Sequence, residues 1–266
     1  MSVEDFMETD YLRIMMYGQS GSGKTTFWTT FPKPILAVIV SGGKKPGELK
    51  SVPIEYRKEI DAVVLHDSSE FKTLIDSVKE NHNYNTIVLD HVSGLQDLVL
   101  KEVLGLDEIP VQKSWGLATR EQYGQCTMQC KEYLRALLSL ETHSVIIGQE
   151  RENELPEGME GSGMDGLHPT VGVALSPSLA GWLNPACDYI LRMYRRNKTK
   201  LVTTKIKGKE VKVRKKMPGV DYCAYCEPHE VFTTKFRVPK GFKLPDVIVD
   251  PSYDKIVSVL KGEFKG

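Results

Sequence analysis

The chain has 266 residues, enough to bury a full core as one large α/β domain with a small appendage. Lysine plus arginine and aspartate plus glutamate number 35 each, so the net charge is zero and gross charge alone points to neither nucleic acid nor membrane. Five scattered cysteines argue against a disulfide framework, no apolar run nears the roughly 18–20 residues of a membrane span, and the acidic start (Glu4, Asp5, Glu8, Asp10) is unlike a signal peptide; the expectation is a soluble cytoplasmic protein with no membrane partner.

In chain order, Tyr11-Leu12-Arg13-Ile14-Met15-Met16-Tyr17 reads as a buried strand. It runs into Gly18-Gln19-Ser20-Gly21-Ser22-Gly23-Lys24-Thr25, which fits G-x-x-x-x-G-K-[ST] at every position, and a segment able to start a helix follows. The glycines let successive N–H groups point at phosphate oxygens, with the helix N-terminus behind them. Lys24 is the expected ligand of the β- and γ-phosphates and the Thr25 hydroxyl a Mg²⁺ ligand; residues 18–26, ending at Thr26, form the predicted nucleotide site. A bare Gly/Ser turn needs no Lys-Thr after its last glycine.

Ile35-Leu36-Ala37-Val38-Ile39-Val40 is an apolar run of the kind buried on both faces of a parallel sheet, closed by Ser41-Gly42-Gly43. Ala62 to His66 reads as a short strand and Ser68 to His82 as an amphipathic helix with Ser68 as N-cap. Thr86-Ile87-Val88-Leu89-Asp90 ends in an acid where a parallel strand delivers its tip to the ligand crevice, a Walker B pattern in which Asp90 holds Mg²⁺ opposite Thr25. His91 reads equally well as a satisfied surface histidine and as a catalytic group.

Helices are predicted over 94–104 and 119–140, joined by a loop holding Pro110 and Trp115, with Cys126 and Cys130 on one face of the second as packing residues. Ser144 to Gln149 is a further buried strand, whose Gln149 is expected beside Asp90, placed to sense a γ-phosphate or a catalytic water. From Glu150 to Pro177 periodicity is lost amid acids and glycines, the composition of a mobile loop. A short helix over 178–184 and a strand over 187–194 follow.

Between Arg192 and Lys216 stand twelve cations against the single Glu210. Leu201 to Thr204 and Val211 to Val213 read as a β-hairpin about Lys207-Gly208-Lys209. Lysines protect an exposed sheet edge, but twelve exceed that need, so the segment reads as a surface for phosphates, with Lys198, Lys200, Lys205, Lys207 and Lys209 as candidate DNA contacts. Cys223, Cys226 and His229 offer three zinc-competent ligands where a structural site needs four. Residues 244–260 read as a packing tail, and the division expected is 1–191 as nucleotide-binding core and 192–266 as hairpin and tail continuous with it.

The order of motifs resembles the phage-encoded RecA-like ATPases, the group that includes minimal RecA-core single-strand annealing proteins. The matching pieces are Tyr17-Gly18 to Thr26, Thr86 to Asp90, Ser144 to Glu150, Pro177-Ser178-Leu179 with Asp188, and Leu244-Pro245 with Pro251 and the last helix. The resemblance implies an α/β fold with a RecA-like P-loop NTPase core and a mainly parallel central sheet, carrying the basic hairpin and a short C-terminal appendage. It implies ATP and Mg²⁺ as cofactors and a DNA-contacting loop after Gln149. The partners it implies are single-stranded DNA, neighbouring copies in a ring or filament, and a single-strand-binding protein, in a phage-infected or prophage-bearing host.

One departure stands out. Relatives tend to carry an Asp-Thr-Glu-Gly type of sequence after the second strand, and here Ser41 stands where the water-orienting Glu would be; a serine is no general base at neutral pH. Either Glu150 substitutes, or hydrolysis is slow and the nucleotide acts as a switch. With no arginine adjoining the P-loop in the sequence, RecA-like behaviour points to cations supplied by a neighbour, and Arg214, Lys215 and Lys216 are the candidates by chain position, unless they extend the DNA strip. Two other readings stay open: a P-loop small-molecule kinase, in which Arg195, Arg196 and Lys198 serve as phosphate-clamping lid residues, and a nucleotide-gated assembly protein with little turnover.

Overall fold

A computed structural model describes residues 11–40, 47–80, 83–106, 118–152, 171–206, 209–239 and 241–264. Strand and helix alternate from the start: β1 (Arg13–Tyr17), α1 (Lys24–Trp28), β2 (Ile35–Ile39), two 3₁₀ turns at Glu48–Ser51 and Ile54–Glu59, β3 (Ile60–Val64), α2 (Ser68–Glu80), β4 (Thr86–Asp90) and α3 (Val92–Val103). Then come α4 (Arg120–Leu138), β5 (His143–Gly148), β6 (Glu150–Glu152), β7 (Val171–Val173) and α5 (Pro177–Ala186). The chain closes with β8 (Tyr189–Ile206), β9 (Lys209–Tyr225), β10 (Lys235–Phe236), β11 (Val247–Val249) and α6 (Tyr253–Leu260).

The main sheet runs β11-β9-β8-β1-β5-β4-β2-β3, with β10 pairing β8 off this path. Strands β3, β2, β4, β5, β1 and β8 are mutually parallel, while β9, β10 and β11 join antiparallel. The fold is mixed α/β with a large, mostly parallel sheet, as a P-loop NTPase core requires.

The unbroken apolar runs follow from burial of both sheet faces. Along β2, Ile35, Ala37 and Ile39 enter one core with Phe27, Trp28 and Phe31 of the α1 region and Ile256 and Val259 of α6. Leu36, Val38 and Val40 enter the other, with Phe71 and Ile75 of α2, Leu95 and Val99 of α3, and Leu134 and Leu137 of α4. Trp28 and Phe31 are fully buried, and such a side chain contributes on the order of 1.5–3 kcal/mol by leaving water.

Local signals place most helix ends. Thr119 caps α4 in a capping box with Gln122. At α2 the cap differs from expectation: the Asp67 carboxylate accepts from the Glu70 amide at 3.0 Å, while the Ser68 hydroxyl donates to Glu102 at 2.5 Å. Asp67 therefore takes the capping role, since an ionised oxygen is the stronger acceptor at a helix N-terminus. Pro185 lies within the last turn of α5 and does not end it.

The largest difference is the hairpin. Expected as two short strands about 201–213, it is an 18-residue and a 17-residue strand paired from Arg192–Tyr225 out to Ile206–Lys209, with an irregularity at Asn197/Thr199. β8 passes unbroken from the sheet, where Arg192 is level with Tyr17, into this ribbon. Lys207 and Gly208 lie outside the described residues. No described helix is long and apolar enough to cross a membrane.

Candidate functional site

β1 ends at Tyr17, and the chain turns at once into the P-loop at the carboxyl edge of the sheet. Gly21 (φ +73°) and Gly23 (φ +90°) take left-handed conformations that side chains resist. Gly18 is required for a different reason: a Cβ there would overlap the Met193 carbonyl oxygen of β8. The loop borders a cavity of about 690 Å³ lined by residues 18–26 together with Asp90, His91, Gln149, Glu150 and Tyr222. Thus Gly18, Gln19, Ser20, Gly21, Ser22, Gly23, Lys24, Thr25 and Thr26 face the same space as the tips of β4 and β5.

Lys24 donates from Nζ to the carbonyls of Gly18 (2.7 Å) and Gln19 (2.9 Å). Burial pushes its pKa down, and the nearby charges of Asp90 and Glu150 push back. A half-buried ammonium with only carbonyl acceptors is poised to exchange them for an anion. Ser22 Oγ is buried with no partner among the described residues, a polar atom of the kind a ligand satisfies. The hydroxyl of Thr25 and the carboxylate of Asp90, 6% exposed at the end of β4, are oxygen donors suited to a hard divalent cation. These observations fit a phosphate chain with Mg²⁺.

His91 begins α3: its Nδ1 accepts from the Gly94 amide at 2.9 Å. A neutral ring accepting there carries its proton on Nε2, which lies 3.2 Å from the Gln149 amide, so the amide must turn its oxygen to the ring. Gln149 therefore sits beside the β4 tip, at the start of the segment leading to 153–170, which lies outside the described residues. Glu150 faces Arg192 with both carboxylate oxygens, at 2.8 and 3.3 Å, and the pair is nearly buried. The Arg192 guanidinium also lies 3.9 Å over the Phe232 ring. Glu150 thus lines the cavity as the partner of a buried ion pair; serving as a base would require Arg192 to release it.

The structure corrects the expectation that no arginine adjoins the P-loop. The Arg195 guanidinium lies against Gly21, with Nη1 3.5 Å from where a Cβ would stand, and the Tyr222 ring lies against Gly23 at 2.8 Å from the same point. Both come from the hairpin base, where Arg195 and Tyr222 are opposite each other in the ladder. Sequence reasoning missed Arg192 and Tyr222 as neighbours of the site, and offered Arg195 only as a phosphate-clamping lid residue of the kinase reading. The available signal was alternation: Leu191 and Met193 share the core of α1, and Arg195 is next on that face.

Lys198 and Lys200 are exposed on the ribbon beyond this point, and Lys205 and Lys209 stand near its tip; Lys207 lies outside the described residues. Arg214, Lys215 and Lys216, opposite Leu201, Lys200 and Thr199, are exposed. They stand six to eight positions from Tyr222 along β9, roughly 20 Å or more, out of reach of their own P-loop. Ser41 lies outside the described residues.

Cys226 donates to the Pro245 carbonyl at 2.8 Å, and burial pushes its thiol up to about 12, so it stays protonated. His229 packs its ring on Tyr225 and Phe232. Among the described residues no three His, Cys, Asp or Glu side chains cluster to hold a metal. Cys126 and Cys130 are buried in the α4 core.

The site and sheet define a P-loop NTPase. A family model described as an AAA domain matches residues 10–238, and the chain belongs to this family of P-loop ATPase domains. No curated protein matches the chain. Membership implies a nucleotide ligand.

An Asp90→Asn variant is expected to lose about tenfold or more in Mg²⁺-dependent nucleotide affinity while its thermal midpoint holds, because a neutral amide is a poorer ligand for a hard cation. Titration of nucleotide at fixed and varied Mg²⁺ reads this; an unchanged metal requirement removes Asp90 from the site.

Proposed function

We propose that this protein is a RecA-like ATPase of phage type that binds single-stranded DNA and assists recombination or strand annealing, using ATP and Mg²⁺. The observation that carries the proposal is the continuity of β8: one strand supplies the wall of the P-loop and then the exposed cationic ribbon. Phosphates of a nucleotide would meet the amides of 21–24, Lys24 and the Thr25–Asp90 cation, while phosphates of a strand would meet Lys198, Lys200, Lys205, Lys207 and Lys209. The exposed apolar residues of the ribbon, Leu201, Val202, Val211 and Val220, give unstacked bases a surface, and a lone two-stranded ribbon gains stability from such a partner. A second cavity of about 1020 Å³ shares Gln149 with the first and carries Arg120, Lys131 and Arg151, where the segment 153–170 departs; this supports a further strand contact there.

With both oxygens of Glu150 engaged by Arg192, slow hydrolysis and a switch-like use of ATP is the reading favoured. Self-association into a ring or filament would give Arg214, Lys215 and Lys216 a neighbour's site to reach, and a single-strand-binding protein is a partner this role would call for.

The ribbon is tested by salt. Each phosphate-bound cation contributes a slope of roughly −0.7 in log affinity against log salt for single strands. Reversing Lys205, Lys207 and Lys209 to Glu should therefore lower the slope by about 2 and weaken oligothymidylate binding at every salt concentration, measured by fluorescence anisotropy. Identical slopes for variant and parent would assign these lysines to solvent.

A further inference from the structure

At three P-loop glycines the hairpin base lies where a side chain would otherwise stand. The Met193 carbonyl meets Gly18, the Arg195 guanidinium meets Gly21, and the Tyr222 ring meets Gly23. The cause is register: β8 pairs with β1 up to Tyr17–Arg192, and where β1 stops to form the loop, β8 continues straight on past it. Residues on the α1 side of β8 then change from Leu191 and Met193, which fill the core, to Arg195, which has no core left to fill and lies on the loop.

The arginines around it are committed elsewhere. Arg192 pairs with Glu150, Arg196 with Asp221 at 3.4 Å, and Arg237 with Asp188 at 2.6 Å. Arg195, on the opposite face from Arg192 and Arg196, has no ion pair or hydrogen bond among the described residues and is exposed. An unpaired guanidinium held against the outer face of a phosphate-binding loop is a cation waiting for an anion, and its planar fork suits phosphate oxygens.

We infer that Arg195 is a phosphate-contacting residue acting within its own chain, directed at the terminal phosphate of a bound nucleoside triphosphate. Gly21 stands in the middle of the loop, ahead of Gly23 and Lys24, so a phosphate chain held by this loop would come within reach of a guanidinium lying beside Gly21. The charge that the sequence does not place beside the motif is thereby supplied in cis, from the base of the hairpin. Because that base leads directly into the cationic ribbon, a polyanion on the ribbon and a triphosphate at the loop act on one rigid ladder.

This inference rests on the nucleotide reading of the cavity, and its test separates the two. Dissociation constants of a fluorescent ADP and a fluorescent non-hydrolysable ATP analogue, both with Mg²⁺, are measured for the parent protein, Arg195→Ala, Arg195→Lys and Arg196→Ala. The parent is expected to bind the triphosphate more tightly than the diphosphate. Arg195→Ala should weaken the triphosphate about ten- to a hundredfold, the effect of one charge-assisted contact, and leave ADP within about threefold. Arg195→Lys should recover part of the loss, and Arg196→Ala should keep the parent's ratio. A merely structural role for Arg195 would weaken both nucleotides alike. Equal loss of both, no loss, or a parent without preference for the triphosphate overturns the inference while the cavity remains a nucleotide site. A parent that binds neither nucleotide overturns both.

Discussion

Lys24→Ala is expected to lower nucleotide affinity or turnover by about a hundredfold or more while the thermal midpoint stays within a few degrees of the parent. The two halves of this expectation come from the same geometry. Nζ is half-buried, burial already depresses its pKa, and its acceptors are the carbonyls of Gly18 and Gln19. Deleting the side chain removes two hydrogen bonds but also a partly desolvated charge, and these effects oppose each other within about 1 kcal/mol. A bound phosphate chain has no such compensation, because the ammonium is its one full positive charge from the loop. Isothermal titration and a melting curve on the same preparation read both halves. Wild-type affinity in the variant, or collapse of the fold, would each show that Lys24 does other work.

Among the described glycines, Gly18→Ala should add the most damaging single methyl group. The added carbon would overlap the Met193 carbonyl oxygen, and neither neighbour yields cheaply, since the collision is backbone against backbone between β8 and the first residue of the loop. Overpacking of this kind costs about 1–3 kcal/mol where side chains adjust, and more where strands must part. The loop, displaced from β8, would also lose its phosphate geometry. The expected result is a lower thermal midpoint together with at least a tenfold loss of nucleotide affinity, a coupling that Lys24→Ala does not show. Retention of both by Gly18→Ala would mean that β8 does not brace the loop.

How much of this was legible beforehand depends on whether a residue's role is local. Gly18 to Thr25 announce themselves because phosphate binding needs consecutive amides, and Asp90 because it ends an apolar run. The ribbon was underestimated because period-two patterning exists only where one face is buried: Arg196, Asn197 and Lys198 are exposed on both sides and carry no alternation. Arg195 is legible as a phosphate-binding cation in the kinase reading, but its place against Gly21 follows from the Tyr17–Arg192 register, which the sequence does not display. Asp67 and Ser68 compete for one cap, and Glu102, distant in sequence, decides by taking the serine.

In the proposed function one strand, β8, joins the nucleotide site to a ribbon that would bind a nucleic-acid strand. This link is tested most directly by measuring Mg·ATP binding and turnover with and without oligothymidylate at fixed protein concentration. Mg²⁺-dependent ATP binding is expected, with affinity or turnover changing about fivefold or more when the oligonucleotide is present, the usual range of coupling between linked sites. Affinity and turnover that are identical with and without the oligonucleotide, at concentrations where both ligands are bound, would contradict it.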